Sequence, residues 1–162
     1  MQEFHISNIE KEWMDIVEEF PEFLKDPSPF VLECYNNQFP INEFVNLRYG
    51  FECNYGWKNL IRNYFQKIKS LIEKAKENNH EVFYKTFILK EKFGELRDQG
   101  DFYGPDAKLY YNEYSDLCHN VCVDSSQVCE ICGSNGKLSR KNSGFGWFKS
   151  LCESHRDDMN YH

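Results

Sequence analysis

Several chemistries are missing from this 162-residue chain. None of its five histidines opens an H-x-E, and Val128 rather than proline precedes Cys129, so the zinc-deaminase signature is absent. Residues 134–151 contain no histidine, which removes a His-metal nuclease site from the hairpin expected there. No Gly-rich phosphate loop follows a strand, and no nucleophile, base and orienting residue form a recognisable set. No apolar run approaches the length that spans a bilayer, and no charged-then-apolar leader opens the chain. Seven cysteines do not divide into disulfide pairs. The expectation is a non-enzymatic protein with reduced thiols in a cytoplasm. Internal repeats and low-complexity segments are also lacking.

What is present is aromatic and unevenly charged. Fourteen Phe, ten Tyr and three Trp supply a core. Residues 1–50 carry ten acids and three bases, whereas the remaining 112 carry sixteen of each. An acidic front end argues against general phosphate binding, which needs an excess of cations. A local basic surface is still allowed, because residues 58–97 hold ten bases against five acids.

Hydrophobic periodicity divides the chain into an acidic helical region (1–49), a helix–hairpin–helix core (50–125) and a C-terminal module (126–162). Ser7 and Glu10 form a capping box, with Ile6 placed as a staple. Ile9, Trp13, Ile16, Val17 and Phe20 follow at helical spacing, and Pro21 should end the run. Three prolines between 26 and 40 read as loop. From Trp57, an apolar face of Leu60, Ile61, Tyr64, Phe65, Ile68, Leu71, Ile72 and Ala75 predicts a helix of about six turns, ending near Asn78-Asn79.

The period then drops to two. Phe83, Lys85, Phe87, Leu89, Glu91 and Phe93 should share the core side, opposite Val82, Tyr84, Thr86, Ile88, Lys90 and Lys92. Gly94-Glu95 is expected to make a type II′ turn into a return strand that reaches Tyr103. A second helix after 104–106 carries Tyr110, Tyr114, Leu117, Cys118 and Val121 as its apolar stripe. The fold class is α+β.

Cys129-x2-Cys132 and Cys152-x2-His155 supply three thiolates and an imidazole, a complete tetrahedral shell for a structural Zn²⁺. Gly133 suits the positive φ of such a knuckle. A hairpin over residues 137–151 and a short helix carrying Cys152 and His155 complete a treble-clef-like order. Cys118 and Cys122, with His119 beside them, offer too few ligands for a second site and fit an apolar stripe better.

The run from Phe87 to Arg97 is charged where a core strand is expected. Glu91 on the inner side needs a cation, from Arg97 or a lysine of the long helix. The charged positions either brace the hairpin or form a recognition surface. In the second case Lys90, Lys92 and Arg97, beside Phe93, Tyr103 and Trp57, hold an anionic ligand or an acidic patch of a partner. A second functional reading is a nucleic-acid-binding finger using Lys137, Arg140, Lys141 and Lys149.

Four segments, "GFECNYGW" (50–57), "LKEKFGELR" (89–97), "CEICG" (129–133) and "GW…LCESH" (146–155), together resemble a family of small proteins of bacteriophage and bacterial genomes. The likeness covers roughly residues 50–155; the acidic N-terminus and the polar "DQGD" lie outside the pattern. It implies a setting: a non-catalytic accessory protein that counters a host process such as antiviral defence. Such a protein would capture a small anionic signal molecule or block a host protein. Self-association into a homo-oligomer is left open by the sequence.

Overall fold

The computed structural model describes residues 11–24, 51–142 and 146–162. The Ser7/Glu10 capping box, Ile9, the proline-rich loop and most of the turn of the second hairpin lie outside the described residues, as does the side chain of Phe87. The architecture is mixed α+β. Short helices α1 (Met14–Glu19) and α2 (Pro21–Leu24) precede β1 (Phe51–Glu52) and the long α3 (Lys58–Glu77). The hairpin β2 (Phe83–Lys92) and β3 (Glu95–Tyr103) follows, then α4 (Ala107–Ser125). A second hairpin, β4 (Lys137–Arg140) and β5 (Phe148–Leu151), leads into α5 (Glu153–Met159).

Strand order in the first sheet is β1-β2-β3, with β1 parallel to β2 and β2 antiparallel to β3. On its inner face α3 buries Ile61, Tyr64, Phe65, Ile68, Leu71 and Ala75, as its periodicity predicts. The Ile, Leu and Phe side chains among them contribute roughly 1.5–3 kcal/mol each on full burial. Asn78 caps the helix and Asn79 takes a left-handed φ of 59°. Trp13, Ile16, Val17, Phe20, Phe23 and Leu24 belong to the same core, so the described N-terminal residues pack onto this unit. Pro21 does more than end a helix: it opens α2, where its missing N–H is harmless.

The hairpin departs from strict alternation. Val82, Tyr84 and Thr86 are buried and Phe83 is exposed, the reverse of the expected faces. A register shift between Thr86 and Leu89 then exchanges the faces, so Leu89 points inward and Lys90 and Lys92 outward. The turn also differs. Lys92 pairs with Glu95, leaving Phe93 and Gly94 as the two turn residues, with φ of 58° and 79°. Two positive φ values make this a type I′ turn rather than II′.

Candidate metal centre and the junction around it

The C-terminal module has little apolar interior. Cys129, Leu151 and Tyr161 form its buried cluster, with Ile131, Cys152 and Met159 packed against them. The backbone is tied by Gly133 N–H donating to the Cys129 carbonyl (2.8 Å) and Cys129 N–H donating to that of Ser134 (2.7 Å). Gly133 adopts the positive φ expected of it, 79°. Cys152 sits at the N-cap of α5, which places His155 one turn along.

These elements bring Cys129, Cys132, Cys152 and His155 together, with all four ligand atoms within 4.8 Å of one another. Cys132 and Cys152 sulfurs are 3.8 Å apart, and His155 Nδ1 is 3.1 Å from Cys152 Sγ and 3.4 Å from Cys129 Sγ. A tetrahedron with metal–sulfur bonds of about 2.3 Å has sulfur–sulfur edges of roughly 3.8 Å. The set is compatible with a metal ion. Ser154 and the backbone N–H of His155 stabilise the Cys152 thiolate, bringing its pKa down to about 5, and Ser134 lowers that of Cys132. Hydrogen bonding to Cys152 raises the His155 pKa. Among the described residues no other cluster of this kind occurs.

The knuckle is also the floor of a junction. Gly56 N–H donates to the Glu130 carbonyl (2.9 Å), and a Cβ on Gly56 would lie 2.3 Å from the Cys129 carbonyl oxygen. Only glycine permits that approach. Trp57 Nε1 donates to the Val128 carbonyl at 2.9 Å. Glu130, buried in a position that requires partners, accepts from Asn54 Nδ2 and from Lys149 Nζ, each at 2.7 Å. The tip of the first hairpin docks here too: Ser150 Oγ donates to the Gly94 carbonyl (2.7 Å), and Leu138 lies against Gly94. The four segments that carry the sequence resemblance therefore meet in one place.

That geometry revises several expectations. Trp57 is fully buried and cannot line an external ligand surface; its ring fills the core and its N–H is committed to Val128. Tyr103 packs in a tilted arrangement against Phe83, with ring centroids 5.5 Å apart, near the far end of β3. Six residues separate it from Arg97, roughly 20 Å along a strand. The other four residues do come together: Lys90, Lys92, Phe93 and Arg97 line one depression of about 410 Å³ with Asp98 and Gln99. Glu91 finds neither Arg97 nor a helix lysine. It accepts from Gly94 N–H (2.6 Å) and lies 3.9 Å from Lys149, while Arg97 pairs with Glu95. Lys149 is consumed by Glu130 and Glu91 and is unavailable for a nucleic-acid contact. Cys118 and Cys122 take separate partners, Tyr64 Oη and Glu95 Oε2.

One polar centre is absent from the sequence reading. Asp98 turns its carboxylate inward, where the Tyr64 and Tyr84 hydroxyls donate to Oδ2 (both 2.7 Å) and Thr86 Oγ1 donates to Oδ1 (2.6 Å). Burial raises its pKa, opposed by these three donors, and no cation among the described residues balances it. Strand parity carried the signal: Asp98 falls on the same side as Leu96 and Phe102, both buried.

Compared with known proteins, the chain matches no family model, no curated protein and no solved structure. No described helix is long and apolar enough to cross a membrane.

Proposed function

We propose that this chain is a non-catalytic binding protein of the phage accessory kind that its motifs resemble. It acts in the host cytoplasm against a host process such as antiviral defence, by holding a small anionic signal molecule or blocking a host protein. One observation carries the reading: Lys90, Lys92, Phe93 and Arg97 line a single outward depression, and Lys90 and Lys92 have no ion pair with a described residue. Cations left unneutralised on a rigid hairpin suit a ligand that brings its own negative charge. In this reading Zn²⁺ fills the shell of Cys129, Cys132, Cys152 and His155 within a treble-clef arrangement of knuckle, hairpin and helix. Four protein ligands leave no open position for a substrate, so the metal is structural.

Native mass spectrometry of the protein purified from the cell in which it acts tests this. The expected spectrum shows one zinc per chain plus a nucleotide-sized mass or a bound host protein. Protein and zinc alone, together with Lys90→Glu and Lys92→Glu variants that keep full biological effect, would remove the reading.

A further inference from the structure

The two hairpins meet at an exposed apolar corner. The turn of the first begins with Phe93, at a φ of 58°, where a type I′ turn favours Asn-Gly. A bulky side chain in that region is uncommon, and its ring is 61% exposed. Neither backbone preference nor burial accounts for phenylalanine here. Gly94 follows, about 3.8 Å away at Cα, and a Cβ on it would lie 2.3 Å from Leu138 Cδ1. Ser150 Oγ holds the Gly94 carbonyl, so the turn rests on one face of the second hairpin. Strand alternation defines that face: Leu138 pairs with Ser150, and Arg140 with Phe148. Leu138 is 46% exposed and Phe148 half-buried. Lys141 and Trp147 fall on the other face and take no part.

Phe93, Leu138 and Phe148 therefore follow one another along a single apolar strip. Lys92 Nζ stands at one end, 5.6 Å from the Phe93 ring centroid, and Arg140 beside Phe148 at the other. The charge around this strip has one sign. Lys92 and Arg140 have no ion pair with a described residue. Residues 137–151 include no acid. On the first hairpin the acids nearest the turn are committed: Glu91 to Gly94 N–H and Lys149, Glu95 to Arg97, and Asp98 to three inward hydroxyls. Asp15, Glu19 and Glu22 of the acidic N-terminus pair with Lys58, Arg62 and Lys69 of α3.

An apolar centre with a charged rim is the anatomy of a protein-binding patch. Resting on the cationic face proposed above, we infer that this strip docks an acidic segment of a partner polypeptide. The segment sets an apolar side chain over Phe93 and Leu138, and its carboxylates meet Lys92 and Arg140. Other occupants fit less of the strip. A small anion engages the cations and leaves Leu138 and Phe148 uncovered. A nucleic-acid strand needs a ring for each successive base, and the centre here is a leucine. An anionic membrane needs a projecting tip, whereas this turn is tied to Ser150.

Selection from a random twelve-residue peptide library against the full zinc-loaded chain, then fluorescence anisotropy with the recovered peptide, tests the inference. The expected peptide carries Asp or Glu on both sides of an aromatic or aliphatic residue. Phe93→Asn is the decisive variant, since Asn-Gly suits the turn and only the ring is lost. It should weaken binding by about fivefold to thirtyfold with an undiminished melting temperature. Arg140→Ala should slow association and lessen its dependence on salt. Recovered peptides without acids, or an affinity that survives Phe93→Asn, overturn the inference. Recovery of no peptide overturns it too, as does tighter binding to a twelve-nucleotide single strand or to phosphatidylserine vesicles. A nucleotide-sized mass in the native spectrum would then leave the small-molecule form of the earlier reading standing. Failure of that reading shows separately, as full biological effect of the Lys90→Glu and Lys92→Glu variants.

Discussion

The helical core and the C-terminal module of this chain are held by different means. The first buries twenty-two described residues from α1 to α4 in one cluster; the second buries three. A large core survives the loss of any single contact, because its stability is spread over many side chains. A module with three buried residues has no such reserve; its docking onto Gly56, Trp57 and Gly94 supplies part of the rest, and a metal held by its three cysteines and His155 would supply more. The contrast extends to charge. Acids and bases of the core pair at its surface, whereas Glu130 and Lys149 pair inside the junction.

Metal removal should divide the two regions most sharply. Structural zinc contributes about 10–16 kcal/mol of apparent folding energy in isolated fingers. Chelation, or Cys129→Ser, should abolish slow amide exchange across 128–162 and release Gly56 N–H, while residues 61–75 stay protected. Simultaneous loss of protection everywhere would show one cooperative unit instead of two. Next in size is Gly56→Ala. The added Cβ meets two backbone carbonyls of the knuckle, so the junction must shift. A loss of about 1–3 kcal/mol by denaturant titration is expected, together with weaker zinc retention against a chelator. Unaltered zinc retention would mean that the finger does not need its seat.

Glu130→Gln keeps the shape and removes the charge that Lys149 faces. A loss of about 1.5–3 kcal/mol is expected, and Lys149→Met combined with it should restore part of that. The smallest effects concern pH, and they have opposite signs in two carboxylates of the core region. Asp15 is held below its ordinary pKa: partial burial works against this, but Lys58 and Arg62 together prevail. Its contribution is therefore present above the unfolded value, near 3.9, and fades as pH falls through the folded one. Asp98 is raised by burial, so the folded state holds its proton more tightly than the unfolded chain does. Its contribution declines as pH rises from about 3.9 through the folded value. In melting curves from pH 3 to 7, Asp15→Asn should flatten the acid-side loss and Asp98→Asn the loss on the way up. Identical curves for the two variants would refute the assignment.

How far the sequence could be read followed the strength of its local patterns. The face of α3 repeats over five turns, and the apolar stripe from Tyr110 to Val121 and the paired C-x-x-C and C-x-x-H are nearly as regular, so each was legible. The β2 strand was not, because aromatic residues occupy both sides: Phe83 and Tyr84 are equal claimants for the core until the bulge after Thr86 is seen. The turn was misplaced by one residue for a related reason, since nothing local announces a phenylalanine with positive φ. Asp98 lay within a run read only as a polar interruption, though its parity with Leu96 and Phe102 pointed inward. Glu130 gave no advance sign at all. Its role depends on Asn54 and Lys149, which arrive from distant parts of the chain.

The indole of Trp57 and its carbonyl acceptor at Val128 are separated by 71 positions. A ribosome working at about 5–20 residues per second needs roughly four to fourteen seconds to travel between them. During that interval the rest of the helical core, from Ile61 to Val121, is made, while the segment around Gly56 still lacks its partners at Val128 and Glu130. The seat for Gly56 and Trp57, built from Val128 and Glu130, is thus among the later parts of the chain to be made, and the junction closes only after the helical core has been synthesised.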